Sequence, residues 1–155
     1  KFLDGKGVSY VERTGSTASE ISIAADMLIS DGVDAVFTPT DNSIMTAELA
    51  IYEKLANAKI PHYAGADSFA LNGAFIGYGV KYDQLGVETA NIVGKILFDG
   101  KKPADIPVMQ FDNGTATVNT EICDALGLDC ETVKTAIAPF CNKVETIVTA
   151  TDFAD

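Results

Sequence analysis

The segment Val33-Asp34-Ala35-Val36-Phe37-Thr38-Pro39-Thr40-Asp41-Asn42-Ser43 limits the fold more than any other. Its apolar half, Asp34 to Thr38, lacks the in-out alternation of a half-exposed strand, which fits a parallel strand covered on both faces. A polar cluster follows at once and opens an amphipathic helix from about Ser43 to Ala56, with Ile44, Ala47, Ile51 and Leu55 on one stripe and Glu48 and Glu53 on other sides. In an open α/β sheet, ligands lie beyond the carboxyl ends of the strands, where helix N-termini present unpaired N–H groups. Thr40, Asp41 and Asn42 are therefore placed at a binding edge.

The same strand and helix rhythm recurs on either side. Val8 to Glu12 reads as a strand, and Thr17-Ala18-Ser19-Glu20 has the S/T-x-x-E form of a capping box, opening a helix that stops at Asp31-Gly32. Ile60 to Ala64 is a strand, and the polar segment Gly65-Ala66-Asp67-Ser68-Phe69 leaves it toward the edge that carries Thr40. Ala74 to Val80 is a glycine-punctuated apolar strand, and Tyr82 to Phe98 carries a helical stripe of Leu85, Thr89, Ile92 and Ile96. Alternation through residue 98 predicts α/β architecture, a Rossmann-like parallel sheet flanked by helices.

Beyond that point the rhythm breaks. Pro107 to Phe111 and Ala116 to Asn119 read as short strands around the Asn-Gly turn signal of Asp112-Asn113-Gly114. Asn119 and Thr120 cap a helix through about Leu126, and Glu131 to Ala138 forms another, while the tail from Lys143 shows little periodicity. The opening Lys1-Phe2-Leu3-Asp4-Gly5-Lys6-Gly7 reads as a last helical turn closed by glycines, so an N-terminal portion is expected before it.

Charge and composition narrow the function. With 22 acidic against 11 basic residues and a formal charge of -11, the chain repels nucleic acid and anionic membrane surfaces. No apolar run approaches the roughly 20 residues that span a bilayer. A single histidine, His62, excludes a histidine-rich metal site and is expected to be structural, as are Met27, Met45 and Met109 in the core. Cys123, Cys130 and Cys141 match no zinc or CxxC spacing; burial is the plain expectation, and one disulfide is open without a choice of pair. Neither a Ser/His/Asp grouping nor a phosphate-cradling glycine loop is legible, so no catalytic residues and no cofactor are assigned.

Four segments together carry a resemblance: Val33 to Asn42, Lys59-Ile60-Pro61, Gly73-Ala74-Phe75-Ile76-Gly77-Tyr78-Gly79-Val80 and Lys81-Tyr82-Asp83-Gln84-Leu85-Gly86. The chain resembles the substrate-binding proteins of bacterial ABC importers, in the type I periplasmic-binding-protein branch that includes tryptophan and tyrosine binders. Lys102 to Val108 and Asn119 to Leu128 extend the match in order. The resemblance implies a C-terminal portion of a two-lobe protein: about 1–72 in the second lobe, about 80–105 a helix crossing toward the first, and about 106–155 the return crossover and C-terminal helices. Most of the first lobe would precede Lys1, and self-association could cover the surface it leaves.

The resemblance also implies a small amino-acid-like ligand held between lobes, an ABC permease as partner, and an extracytoplasmic location, periplasmic or lipid-anchored. The ligand-binding set is then Thr40, Asp41, Asn42, Asp67, Ser68, Tyr78 and Gly79. Taken by themselves, Asp41 and Asn42 are helix caps, Asp67 and Ser68 a turn, and Tyr78 a buried strand aromatic. A ligand-sensing domain of a transcription regulator or receptor is the alternative, because the same fold is reused that way.

Overall fold

The structure is a computed structural model, and it describes residues 2–110 and 114–152. Five strands form one sheet in chain order: β1 (Val36–Thr38), β2 (His62–Ala64), β3 (Ile76–Gly79), β4 (Thr115–Asn119) and β5 (Lys143–Ile147). Pairs β1/β2, β2/β3 and β4/β5 are parallel, whereas β3 and β4 run antiparallel with Gly77 opposite Thr117. The sheet is thus mostly parallel, with one reversal where the chain returns after the long helix α4 (Tyr82–Leu97).

Local chemistry fixes the other helices. In α1 (Ala18–Asp31), Thr17 and Glu20 make the reciprocal capping box that their spacing predicts, and Gly32 closes the end at φ 68°. In α2 (Asn42–Asn57), the Asp41 carboxylate caps Ser43 and Ile44. A one-turn helix, α3 (Asp67–Leu71), replaces the turn expected after β2, since burial of Phe69 and Ala70 gives the segment an apolar anchor. Asn119 caps α5 (Thr120–Leu126), and Asp129 caps α6 (Cys130–Ile137).

The core consists of several clusters that tie the helices to one another and to the sheet. Ile21 and Ala25 of α1 pack on Ala47 and Ile51 of α2, and Val36, Leu55 and Ile60 join α2 to β1. Phe75, Ile76, Ala116 and Val118 of the sheet pack on Ile122 and Cys123 of α5. All five residues of β4 are buried.

Several expectations are corrected. Val8 to Glu12 joins no ladder: the edge strand β1 pairs only with β2, and Val8, Tyr10 and Val11 are exposed. Residues 107–110 are not a strand either, with Val108 fully exposed and unpaired; Phe111 and the Asp112-Asn113 turn lie outside the described residues. The tail from Lys143 contains β5, whose ladder partner β4 is remote in sequence and leaves no local signal. Phe37 is 72% exposed, so β1 is covered on one face only. Met27 and Met109 are exposed rather than core. Helix α4 buries none of its residues, and its apolar side chains Val87, Val93 and Leu97 face away from the rest of the described chain.

Candidate functional site

The parallel strands β1, β2 and β3 deliver three loops to one edge. Thr40 follows β1, Gly65 and Ala66 follow β2, and Tyr78 to Val80 end β3. Thr40 Oγ1 donates to the Gly65 carbonyl at 3.0 Å, which ties the first two loops together. A Cβ on Gly65 would lie 2.5 Å from Thr40 Oγ1 and 3.0 Å from its backbone nitrogen, so that approach requires glycine. Here the loops enclose an open cleft of about 300 Å³, lined by Thr40, Gly65, Ala66, Tyr78, Gly79, Val80, Tyr82 and Gly114.

Thr40, Tyr78 and Gly79, named from the sequence, meet in this cleft. Tyr78 is 43% exposed, so the buried-aromatic reading of that position does not hold. Its ring lies over the backbone of Gly114, where a Cβ would come within 3.1 Å of Cε2. Tyr82, at the first turn of α4, adds a second exposed ring outside the candidate set named from the sequence.

Asp41, Asn42, Asp67 and Ser68 flank the cleft rather than line it. Asp41 accepts both of its N–H bonds, from Ser43 at 2.8 Å and Ile44 at 3.1 Å, on the single oxygen Oδ1. Asn42 is the first residue of α2, and Ser68 Oγ lies 3.2 Å from Met45 Sδ. Asp67 accepts from the Ser68 N–H on Oδ1 and pairs through Oδ2 with Lys81 Nζ at 3.3 Å.

Lys81, which sequence reasoning missed, is the hub of the charges beside the cleft. Its ammonium also contacts Glu145 Oε2 at 2.5 Å, and Lys143 holds Glu145 Oε1 at 2.6 Å. Hydrogen bonds from Lys143 and then Lys81 hold the Glu145 carboxyl below the usual range, while the bond to Glu145 raises Lys81. The sign for Glu145 follows from linkage. Its stabilising contribution is complete above the ordinary glutamate range and is lost as pH falls through the lowered folded value. The thermal midpoint should therefore fall more steeply between about pH 5 and pH 3 in the parent than in Lys81→Met, for which part of this contribution is already absent. Parallel slopes in the two proteins would show that Lys81 does not stabilise the Glu145 charge.

Behind the cleft, a buried line of hydrogen bonds anchors the end of β1. Glu48 Oε1 meets His62 Nδ1 at 2.8 Å, and His62 Nε2 meets Thr38 Oγ1 at 2.8 Å. Glu48 is fully buried, not on an outer side of α2 as its charge implied. Thr38 precedes Pro39 and Thr40, so this line holds the strand end that delivers Thr40 to the cleft. Among the described residues, no group of three or more His, Cys, Asp or Glu side chains is arranged to hold a metal ion, and no helix is long and apolar enough to cross a membrane.

Comparison with known proteins gives a consistent set. Residues 1–139 match the family described as ABC transporter substrate binding protein. A "Tyrosine-binding protein" of Clostridioides difficile (strain R20291) is 33% identical over 119 residues, which are 76% of this chain and 34% of the relative. The ligand-free, open structure of a substrate binding protein with adhesive properties from Clostridium difficile superposes with a TM-score of 0.77 at 25% identity, over 96% of this chain and 47% of its own. An ABC domain in complex with L-Trp from Streptococcus pneumonia superposes with a TM-score of 0.72 at 24% identity, over 92% of this chain and 48% of its own; that likeness is one of fold. The chain thus spans 34% of the curated relative's length and about half of each solved structure.

Proposed function

The chain belongs to the ABC transporter substrate-binding protein family, and from that premise we propose that it forms one wall of a cleft that captures an amino-acid-like ligand for import. The observation that carries this reading is the convergence of Thr40, Gly65, Ala66, Tyr78, Gly79 and Tyr82 on one open hollow at the carboxyl edge of β1 to β3. Two exposed tyrosine rings suit a planar or aromatic side chain. A relative named for tyrosine points to the same ligand class.

The charges at the rim suit a zwitterion. A ligand ammonium can pair with Asp41, whose cap bonds occupy Oδ1 alone. At Asp67 it would compete with Lys81, which keeps Glu145 as a second partner when displaced. A ligand carboxylate would be favoured by the positive end of the α2 dipole near Asn42 and would compete with Asp41 for the Ser43 and Ile44 N–H groups. The full ligand set proposed is Thr40, Asp41, Asn42, Asp67, Ser68, Tyr78 and Gly79.

We assign residues of about 1–72 to one lobe, α4 and its flanks (about 80–105) to the crossing toward a second lobe, and about 106–155 to the return. The unpartnered apolar residues of α4 support that assignment, since contact with a second lobe would cover them. Closure of the two lobes, outside the cytoplasm, would complete the site, and an ABC permease in the membrane would receive the ligand.

Isothermal titration of the full-length protein with L-tyrosine, L-tryptophan, other amino acids and nucleosides tests the reading. Asp41→Asn separates the two roles of that residue, because asparagine caps helices as well as aspartate does but carries no charge. Its thermal midpoint should stay near the parent's, while affinity for the zwitterion falls about tenfold, or roughly 1.4 kcal/mol. Absence of heat across the whole panel would remove the amino-acid reading, and unchanged affinity in the variant would remove Asp41 from the site.

A further inference from the structure

Lys81 joins three elements at the rim of the cleft. It immediately precedes α4, between Val80 and Tyr82, which both line the hollow. Its ammonium reaches Asp67 Oδ2 at 3.3 Å, at the start of α3, and Glu145 Oε2 at 2.5 Å, on β5. Asp67 directly follows Ala66, another lining residue.

The sheet explains why these groups meet. Gly77, Thr117 and Glu145 stand opposite one another on β3, β4 and β5, and residues in such a row project to the same face. Gly77 places no side chain on that face, so the start of α3 settles over it; a Cβ there would lie 3.0 Å from Asp67 Cα. Two strand spacings, about 10 Å, separate Gly77 from Glu145, and the long stem of Lys81 lets one ammonium serve both carboxylates across that gap.

The two carboxylates are held unequally. Glu145 is engaged on both oxygens, by Lys81 on Oε2 and by Lys143 on Oε1 at 2.6 Å. Asp67 accepts the Ser68 N–H on Oδ1 and has the longer contact to Lys81 on Oδ2. Its side chain is 33% exposed and that of Lys81 25%, so solutes reach the pair. Asp67 is thus the carboxylate that Lys81 can release while keeping a counter-charge.

We propose that Lys81 is a specificity-determining residue of the cleft, an internal cation that occupies Asp67 in the empty protein and gives way there to the ammonium of an amino acid while Glu145 retains it. The inference rests on the reading of the cleft as an amino-acid site. A ligand with an ammonium gains Asp67 in the exchange; one without it leaves the Lys81–Asp67 pair intact and gains nothing there. Glu145, on a strand that lines no part of the cleft, then tunes affinity through Lys81: the firmer its hold, the less the release of Asp67 costs.

Titration calorimetry of the full-length protein tests the exchange, with L-tyrosine, or the amino acid that gives heat in its place, and with its des-amino analogue, which lacks only the ammonium. Lys81→Met should tighten the amino acid about three- to fivefold, the scale of a partly exposed ion pair, and leave the analogue no tighter. Glu145→Gln should weaken the amino acid by about the same factor. Both variants break the Lys81–Glu145 pair, so damage from that loss alone would move them in one direction. With the parent binding the amino acid, shifts of the same sign, no shift in either variant, or equal tightening of both compounds by Lys81→Met would overturn the exchange and leave the cleft reading standing. No heat from the parent with any amino acid would remove that reading, and the exchange with it.

Discussion

His62→Ala is expected to lower folding stability by about 3–5 kcal/mol, the usual result of leaving one member of a buried pair without its partner. Glu48 is fully buried and His62 is 2% exposed. The imidazole provides the bond to Oε1, and Oε2 has no hydrogen-bond partner. Removing the ring leaves the buried Glu48 carboxyl group without a hydrogen-bond partner, opens a void beneath β2 and frees Thr38 Oγ1 of its contact. Glu48→Gln keeps an acceptor for the ring and should cost less. Replacing both members, as Glu48→Met with His62→Leu, should recover most of the loss, because apolar residues of similar size often substitute for a buried hydrogen-bonded pair at little cost. Urea unfolding of the three variants checks this. A single-variant loss below about 1 kcal/mol would mean that solvent reaches the pair.

Glu48 also shows what could be read from the sequence and what could not. It lies four residues after Ile44 and three before Ile51, directly on the apolar stripe of α2, and that spacing was the available signal for its burial. Its charge argues against that position, but the lone histidine, fourteen residues on at the start of β2, supplies the partner that makes the position tolerable. Cap chemistry was legible because it is local, with Thr17, Asp41 and Asn119 each capping residues two or three positions on, while the meeting of the Thr40 and Gly65 loops, 25 residues apart, follows from the parallel pairing of β1 and β2. Features that need a remote partner were not. The segment Val8 to Glu12 has strand propensity and no ladder, β5 has a ladder and little pattern, and Lys81 meets Asp67 and Glu145 from separate elements.

The second large effect is expected at Gly77→Ala, with a loss of about 3 kcal/mol. Gly77 is hydrogen-bonded in the sheet on both sides, opposite Ala64 of β2 and Thr117 of β4, so its own backbone cannot retreat. A Cβ there would lie 2.8 Å from the Ala66 carbonyl carbon and 3.0 Å from Asp67 Cα, and would overlap the Ala66 oxygen. These are backbone atoms, so no side chain can swing aside; the start of α3 must lift, carrying with it one wall of the cleft and the Asp67 carboxylate that meets Lys81. Two nearby glycines calibrate the result. At Gly79 the closest atoms are 3.1 and 3.2 Å from a built Cβ, a crowding that a shift of a few tenths of an ångström relieves. At Gly86, inside α4, nothing lies within 4 Å, and alanine should stabilise by about 0.5–1 kcal/mol through helix propensity. Urea midpoints should therefore rank Gly86→Ala above the parent, Gly79→Ala slightly below it and Gly77→Ala far below. A Gly77→Ala midpoint equal to that of Gly79→Ala would show that the β2–α3 turn yields freely, and a turn that yields could not hold Ala66 and Gly65 as a fixed wall of the cleft.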